Sequence, residues 1–329
     1  MSAAAICFAA CQKDGNEGGN GSQDGSYWSV HNGVAGTGIK SIKSQDETLN
    51  YDKNGRLVST VTPWGEEKIT YNSEGYPVKV EGKGTEDGQT EVKTLEYGNK
   101  GKFCPVPMGP GHIMHIYENG LVGGLSKISW TGGYNDGSVM EYKFSGNKLT
   151  IHTEYGSGQE ADMEEPEEDI VFEYDGAYPV SSYIPGLGMD VQIGPITYLQ
   201  NGMFESYKES YISDGYAYLE RTTYTSKAFT GIMLMEREVT DWYNLTYDNS
   251  GKVTGREFSY TETRIATYNE HGDITKEETT YTNPDYDHYI TTYEYEYDSK
   301  GNWTKCTTIL TTNGNETNRW EQERTIEYY

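Results

Sequence analysis

Groups able to do chemistry are plentiful in this chain and loosely organised. It has 51 Asp and Glu, six His and four Cys among 329 residues. There is no Gly-x-Ser-x-Gly elbow, no Gly-rich phosphate loop ending in Lys-Ser/Thr and no His-Glu-x-x-His pair. His112 and His115 could chelate a metal from a helix, but Ile113, Met114 and Ile116 around them read as a strand. The acidic run from Asp162 to Asp169, and the pair Asp285 and Asp287, offer oxygen ligands without the alternating Asp/Asn and Gly spacing of a calcium loop. With so many acids, a carboxylate pair at any spacing is uninformative about glycosidase chemistry. The reading is therefore no metal, no cofactor and, more in keeping with the residues, no enzyme. Aromatic side chains are the better lead, because Tyr and Trp faces grip sugars and peptides. Trp64, Trp130 and Trp242 are the stacking candidates, with Trp64 set at a turn by Pro63 and Gly65. Their competing use is packing in a thin sheet.

The elements that must carry these residues begin with a leader. Met1 to Cys11 is an apolar run ending in Ala9-Ala10-Cys11, too short to span a bilayer. Phe8-Ala9-Ala10-Cys11 resembles the bacterial lipobox, which implies acylation of Cys11, and Lys13-Asp14 resembles a short surface-export signal of Bacteroidetes lipoproteins. The basic residues expected ahead of the apolar run are missing. Residues 11–26 have no apolar residue beyond Cys11 and read as a flexible tether. Cys104 and Cys306 then remain in the domain, either as a disulfide or as two separate buried thiols. A net charge of -25 repels phosphates, which excludes nucleic acid as a first partner.

The domain itself is organised by a repeated turn. Tyr51-Asp52-Lys53-Asn54-Gly55 returns as Tyr71-Asn72-Ser73-Glu74-Gly75, Tyr247-Asp248-Asn249-Ser250-Gly251, Tyr268-Asn269-Glu270-His271-Gly272 and Tyr297-Asp298-Ser299-Lys300-Gly301. Weaker copies start at Tyr97, Tyr117 and Tyr142. Asp or Asn opens a type I turn, and the Gly four places after Tyr takes the left-handed conformation of a bulge, so each copy predicts a β-hairpin. Strand alternation puts the residue two before each Tyr and the residue two after each Gly on one face. In Tyr289 to Tyr297, Tyr holds every odd position but Thr291, which predicts one aromatic and one polar face.

These Tyr-Asp-x-x-Gly turns resemble the YD-repeat, or Rhs-like, proteins, and more closely the YD-repeat-like lipoproteins of Bacteroidetes. The resemblance covers residues 45–150 and 240–329 and is thin between them. It implies an extended or curled hairpin array; the few, irregular repeats give no reason to carry over toxin encapsulation. The combined expectation is an all-β antiparallel meander in one domain from residue 27 to 329, with irregular insertions around 104–111 and 156–204. Its role would be that of an outer-membrane, lipid-anchored and surface-exposed binding or scaffold module, touching the membrane only through its acyl anchor and meeting a glycan or protein ligand. A glycan-binding accessory protein and a carboxylate-dependent hydrolase are the alternatives.

Overall fold

The computed structural model describes residues 38–84, 88–105, 121–133, 135–156, 169–184, 192–198, 204–213, 217–225, 235–249 and 253–329. Among them are twenty-one strands and no helix, and, apart from the first strand with the last, the strand pairs are antiparallel neighbours in sequence, as the hairpin pattern predicts. Contacts divide the chain into two compact units, where one domain was expected. The change falls at Gly186/Leu187, inside a stretch punctuated by Pro185, Gly186 and Gly188.

The first unit holds β1 (Ile39–Lys43), β2 (Thr48–Tyr51), β3 (Leu57–Thr62), β4 (Gly65–Tyr71), β5 (Pro77–Gly84), β6 (Thr90–Pro105), β7 (Leu121–Thr131), β8 (Val139–Ser145), β9 (Lys148–Glu154), β10 (Ile170–Asp175) and β11 (Tyr178–Tyr183). β21 (Thr325–Tyr328) joins this unit by pairing with β1, Ile42 lying opposite Ile326. From β6 onward the strands curl back on themselves: the Phe103 amide donates to the Ala177 carbonyl at 2.9 Å, and the Phe103 and Tyr178 rings stack at 4.7 Å. The curl encloses Leu125, Ile128, Met140, Leu149, Ile151 and Phe172, all fully buried. Aliphatic and aromatic burial of this kind is the usual main stabilising term, at about 1.5–3 kcal/mol for each large side chain.

The second unit holds β12 (Gln192–Tyr198), β13 (Phe204–Ser213), β14 (Ala217–Thr225), β15 (Met235–Tyr247), β16 (Val253–Tyr268), β17 (Ile274–Tyr281), β18 (Tyr289–Tyr297), β19 (Trp303–Thr312) and β20 (Asn315–Glu323), each paired with the next. Its cover is sparse. β16 has one buried residue, Ala266, and β20 has none.

The repeated turns share one geometry. In the turn at Asp52 the side-chain Oδ1 accepts from the Asn54 and Arg56 amides at 2.8 and 3.0 Å, and the Gly55 amide donates to the Asp52 carbonyl at 2.9 Å. Asn72, Asn269 and Asp298 repeat all three bonds with their own neighbours. The fourth position needs glycine because its φ is positive, 79° at Gly55 and 82° at Gly301. The register slips by one residue at each Tyr, so that Tyr51 faces Leu57, Tyr71 faces Pro77, Tyr268 faces Ile274 and Tyr297 faces Trp303.

A second device ties four of the repeat copies to a tyrosine further along. The hydroxyls of Tyr71, Tyr97, Tyr174 and Tyr295 donate to the carbonyls of Leu57, Pro77, Phe103 and Ile274 at 2.7, 2.5, 2.7 and 2.8 Å. Every acceptor lies two residues past a repeat glycine, where the bulge displaces the ladder bonds and leaves a carbonyl in want of a donor.

Two expectations need correction. The copy at Tyr97 is no hairpin: Tyr97 to Phe103 stays within β6 as a run of register shifts, held by Asn99 Nδ2 donating to the Leu125 and Tyr142 carbonyls at 2.7 and 3.0 Å. The span 156–204, read as irregular, contains β10, β11 and β12, because Ile170-Val171-Phe172 and Tyr178 to Tyr183 pair as strands despite the Pro and Gly around them. The copy at Tyr117 and residues 106–111 lie outside the described residues.

Candidate binding faces

The stacking candidates have three different fates. Trp64 sits at the tip of the β3–β4 hairpin and is 69% exposed. Its amide donates to Thr62 Oγ1 at 3.2 Å, and Gly65 beside it leaves no room for a Cβ, which would fall 2.6 Å from the Lys83 carbonyl oxygen. The tip is therefore fixed in shape and presents the indole to solvent. Trp130 is the opposite case and is corrected: it is 2% exposed, lies opposite Lys93 in the β6–β7 ladder and faces the core of the first unit, so it packs and cannot stack on a ligand. Trp242 is half-buried on β15, stacked on Tyr260 of β16 at 5.8 Å.

Cross-strand register places Trp242 on a face of the second unit that also carries an ion ladder. Arg221 of β14 contacts Glu209 of β13 at 3.2 Å and Glu238 of β15 at 3.7 Å. Arg264 of β16 contacts the same Glu238 at 3.4 Å and Glu277 of β17 at 3.6 Å, and Tyr293 of β18 donates to Glu277 at 2.5 Å. Charge thus alternates in sign over five adjacent strands and ends on a phenol. Glu209 and Glu238 are buried, and Thr223 and Thr240 lie buried beside them. Each carboxylate faces a guanidinium and not a second carboxylate, so the ladder does not form the acid pair of a hydrolase.

The other face of these strands is charged as well. Lys208 pairs with Glu220 at 3.0 Å, Lys276 with Glu278 at 2.7 Å and Lys305 with Glu321 at 2.9 Å. The sequence reading of one aromatic and one polar face is thus half complete: the aromatic face also carries the ladder. No signal in one strand shows this, because the partners are brought together only by register across strands.

Cys104 and Cys306 are both free and buried, so the disulfide weighed from the sequence is replaced by two separate thiols. Burial pushes the Cys104 thiol up to about 12, with Tyr174 and the Leu125 backbone acting weakly the other way, and a thiol so rarely ionised is a poor nucleophile. Cys306 Sγ lies 3.9 Å from Thr308 Oγ1 on its own strand. Among the described residues no three His, Cys, Asp or Glu side chains converge as metal ligands. Asp287 accepts from Asn313 Nδ2 at 2.6 Å, so that carboxylate fastens the β17–β18 loop to the β19–β20 turn. Cys11, Lys13, Asp14, His112, His115 and residues 162–168 lie outside the described residues.

No known family model and no curated protein matches this chain. Among solved structures, a porin-like protein from Bacteroides uniformis ATCC 8492 is similar over 88% of this chain and 96% of its own, at 14% identity and a TM-score of 0.27. A porin-like protein from Bacteroides vulgatus ATCC 8482 covers 89% of this chain and 99% of its own, at 10% identity and a TM-score of 0.28. Scores of that size are too low to pass any function to this chain.

Proposed function

We propose that the protein is a lipid-anchored, non-enzymatic module of the outer envelope, a YD-repeat-like hairpin array held on Cys11 and standing off the membrane on the tether that ends near residue 26. The observation that carries this reading is charge on both faces of the second unit, Glu209 to Glu277 on one side and Lys208, Glu220, Lys276 and Glu278 on the other. A strand that crosses a bilayer needs an apolar face toward lipid. These strands have none to offer, which favours attachment through acyl chains on the leader, and two such chains hold a protein stably on a membrane. Binding would then use the polar faces and the hairpin tips.

The test is alkyne-palmitate labelling in the native host, wild type against Cys11→Ser, followed by protease shaving of intact cells. Label that disappears in the variant, with the wild type shaved, is the expected result. Wild type without label ends the lipoprotein reading. A second reading, glycan binding, is favoured by Trp64, whose indole is the most exposed large apolar side chain described, at 69%. Under it, Trp64→Ala abolishes retention on the glycan that retains the wild type, with folding unchanged.

A further inference from the structure

Several aromatic rings of the described residues are covered by a cation of the chain itself. Arg56 lies 4.8 Å from the Tyr71 ring, Lys102 lies 5.6 and 5.4 Å from Phe144 and Tyr174, and Arg256 lies 4.4 and 5.3 Å from Tyr218 and Tyr243. Such pairs are attractive because the ring face is electron-rich. The rings around Trp242 form a larger cluster without such a cation. Trp242, Tyr260 and Tyr281 stand on adjacent strands, with centroids 5.8 and 6.1 Å apart, and Tyr286 from the β17–β18 loop meets Tyr260 at 4.7 Å and Tyr281 at 5.2 Å. The Tyr286 ring is turned 66° and 61° from those two, so the cluster has walls in several directions.

No Lys or Arg among the described residues lies over any of these four rings. What stands beside them is Glu262, on the same face of β16, whose charge acts on Tyr260 and Tyr281 and whose carboxylate has no hydrogen bond or ion pair among the described residues. Arg264, the guanidinium that acts on Tyr281, is already held by Glu238 and Glu277 at 3.4 and 3.6 Å. Burial first, then Tyr286 and Glu262, pushes the Tyr260 phenol up to about 12, which keeps its ring neutral. The Trp242 indole N–H is buried with no acceptor.

We propose that Trp242, Tyr260, Tyr281 and Glu262 form a binding site for a small organic ammonium ion, a quaternary or alkylated amine, with Tyr286 as its movable wall. The rings supply cation–π attraction and Glu262 supplies the counter-charge. A net charge of -25 raises the local concentration of any cation. Because Tyr286 now rests against Tyr260 and Tyr281, the ligand enters by displacing it. Tyr286 is 47% exposed and its loop is turned by Asn283, whose side chain accepts from the Asp285 amide at 3.0 Å, so the displacement disturbs no core residue.

The test is calorimetric titration of the full chain with choline chloride, beside its neutral isostere in which carbon replaces the nitrogen, and with a neutral cello-oligosaccharide. Indole fluorescence, read against Trp242→Phe, locates the site. Saturable choline binding is expected, weakened about tenfold in Glu262→Gln and by a similar factor for the neutral isostere. Tyr286→Ala, a loop substitution checked by circular dichroism, changes the choline affinity while the fold is kept. No saturable choline binding, equal binding of the isostere, or full affinity in Glu262→Gln overturns the proposal. Oligosaccharide binding lost in Tyr286→Ala, with no choline binding, assigns the cluster to sugars and overturns it too. The inference does not rest on lipidation, so a failure to label Cys11 leaves it standing.

Discussion

The two units solve the same problem with different materials. Around β6 to β11 the first unit buries Leu125, Ile128, Met140, Leu149, Ile151 and Phe172 completely, and its strands are held by dispersion and the release of water. The second unit buries Ile193, Ile196 and Leu219, but it also buries Glu209, Glu238 and Thr240 and joins β13 to β17 through Arg221 and Arg264. Apolar packing fixes which face of a strand is buried, but an apolar side chain accepts any apolar neighbour of similar volume across the strand. A ladder of alternating charge is more exacting, because a slip also sets Arg221 and Arg264 away from the carboxylates that hold them. The difference teaches that a thin sheet with few aliphatic residues can take its order from charge where it cannot take it from a core.

The largest effect expected from breaking this contrast is at Phe172. Phe172→Ala leaves a cavity in the first unit and costs about 3–5 kcal/mol. Urea denaturation followed by far-UV circular dichroism measures it, and a cost below that of ladder substitutions would invert the comparison. Next comes the ladder. Glu238→Ala leaves Arg221 and Arg264 without their shared carboxylate, and because Arg264 is partly exposed the loss is discounted to about 2 kcal/mol. Replacing Glu209, Arg221 and Glu238 together by apolar residues of similar size is expected to recover most of that loss, since an unpaired buried charge costs more than a missing pair. A triple variant as unstable as Glu238→Ala would show that the ladder stabilises through more than pairing.

The smallest effect concerns the turns, which both units share. Burial acts to raise the Asp52 carboxyl, but the Arg56 amide and guanidinium and the Asn54 amide outweigh it and hold the group below the usual carboxylate range. A depressed folded value means that this carboxylate stabilises the chain above the unfolded pKa, and that the contribution is lost as pH falls through the folded value. The turns at Asn72 and Asn269 make the same backbone bonds without a titrating group. Asp52→Asn is therefore expected to be slightly less stable than wild type at neutral pH, with the gap closing under acid. A gap independent of pH, measured by urea midpoints across the acid range, would remove the Arg56–Asp52 pair at 2.6 Å from the account.

How much was legible depends on how far apart the partners lie in sequence. The turns could be read from five residues each, because Asp52 or Asn72 meets amides two and four places on and Gly55 or Gly75 supplies the positive φ. The buried ends of the hairpins, Leu49, Leu57, Ile69 and Trp303, followed from alternation alone. The copy at Tyr97 failed because its Asn99 finds carbonyls at Leu125 and Tyr142, far along the chain, and so stays in a strand. Trp130 failed for a related reason, since nothing local separates a tryptophan facing a core from one facing solvent. The ladder and the rings around Trp242 were out of reach, as the ladder needs the register of five strands and the rings that of three.

The tyrosine hydroxyls have one more consequence, and it concerns how such a chain can grow. Tyr71 reaches back to Leu57 and Tyr97 to Pro77, so the copy between them delivers a donor to its predecessor and presents an acceptor to its successor. A duplicate of that hairpin would bring both halves of the joint with it, so that it could be inserted beside the original with the same contact. Length in an array of this kind can change by recombination, one hairpin at a time, while the binding surfaces evolve on the side chains that the joint leaves alone.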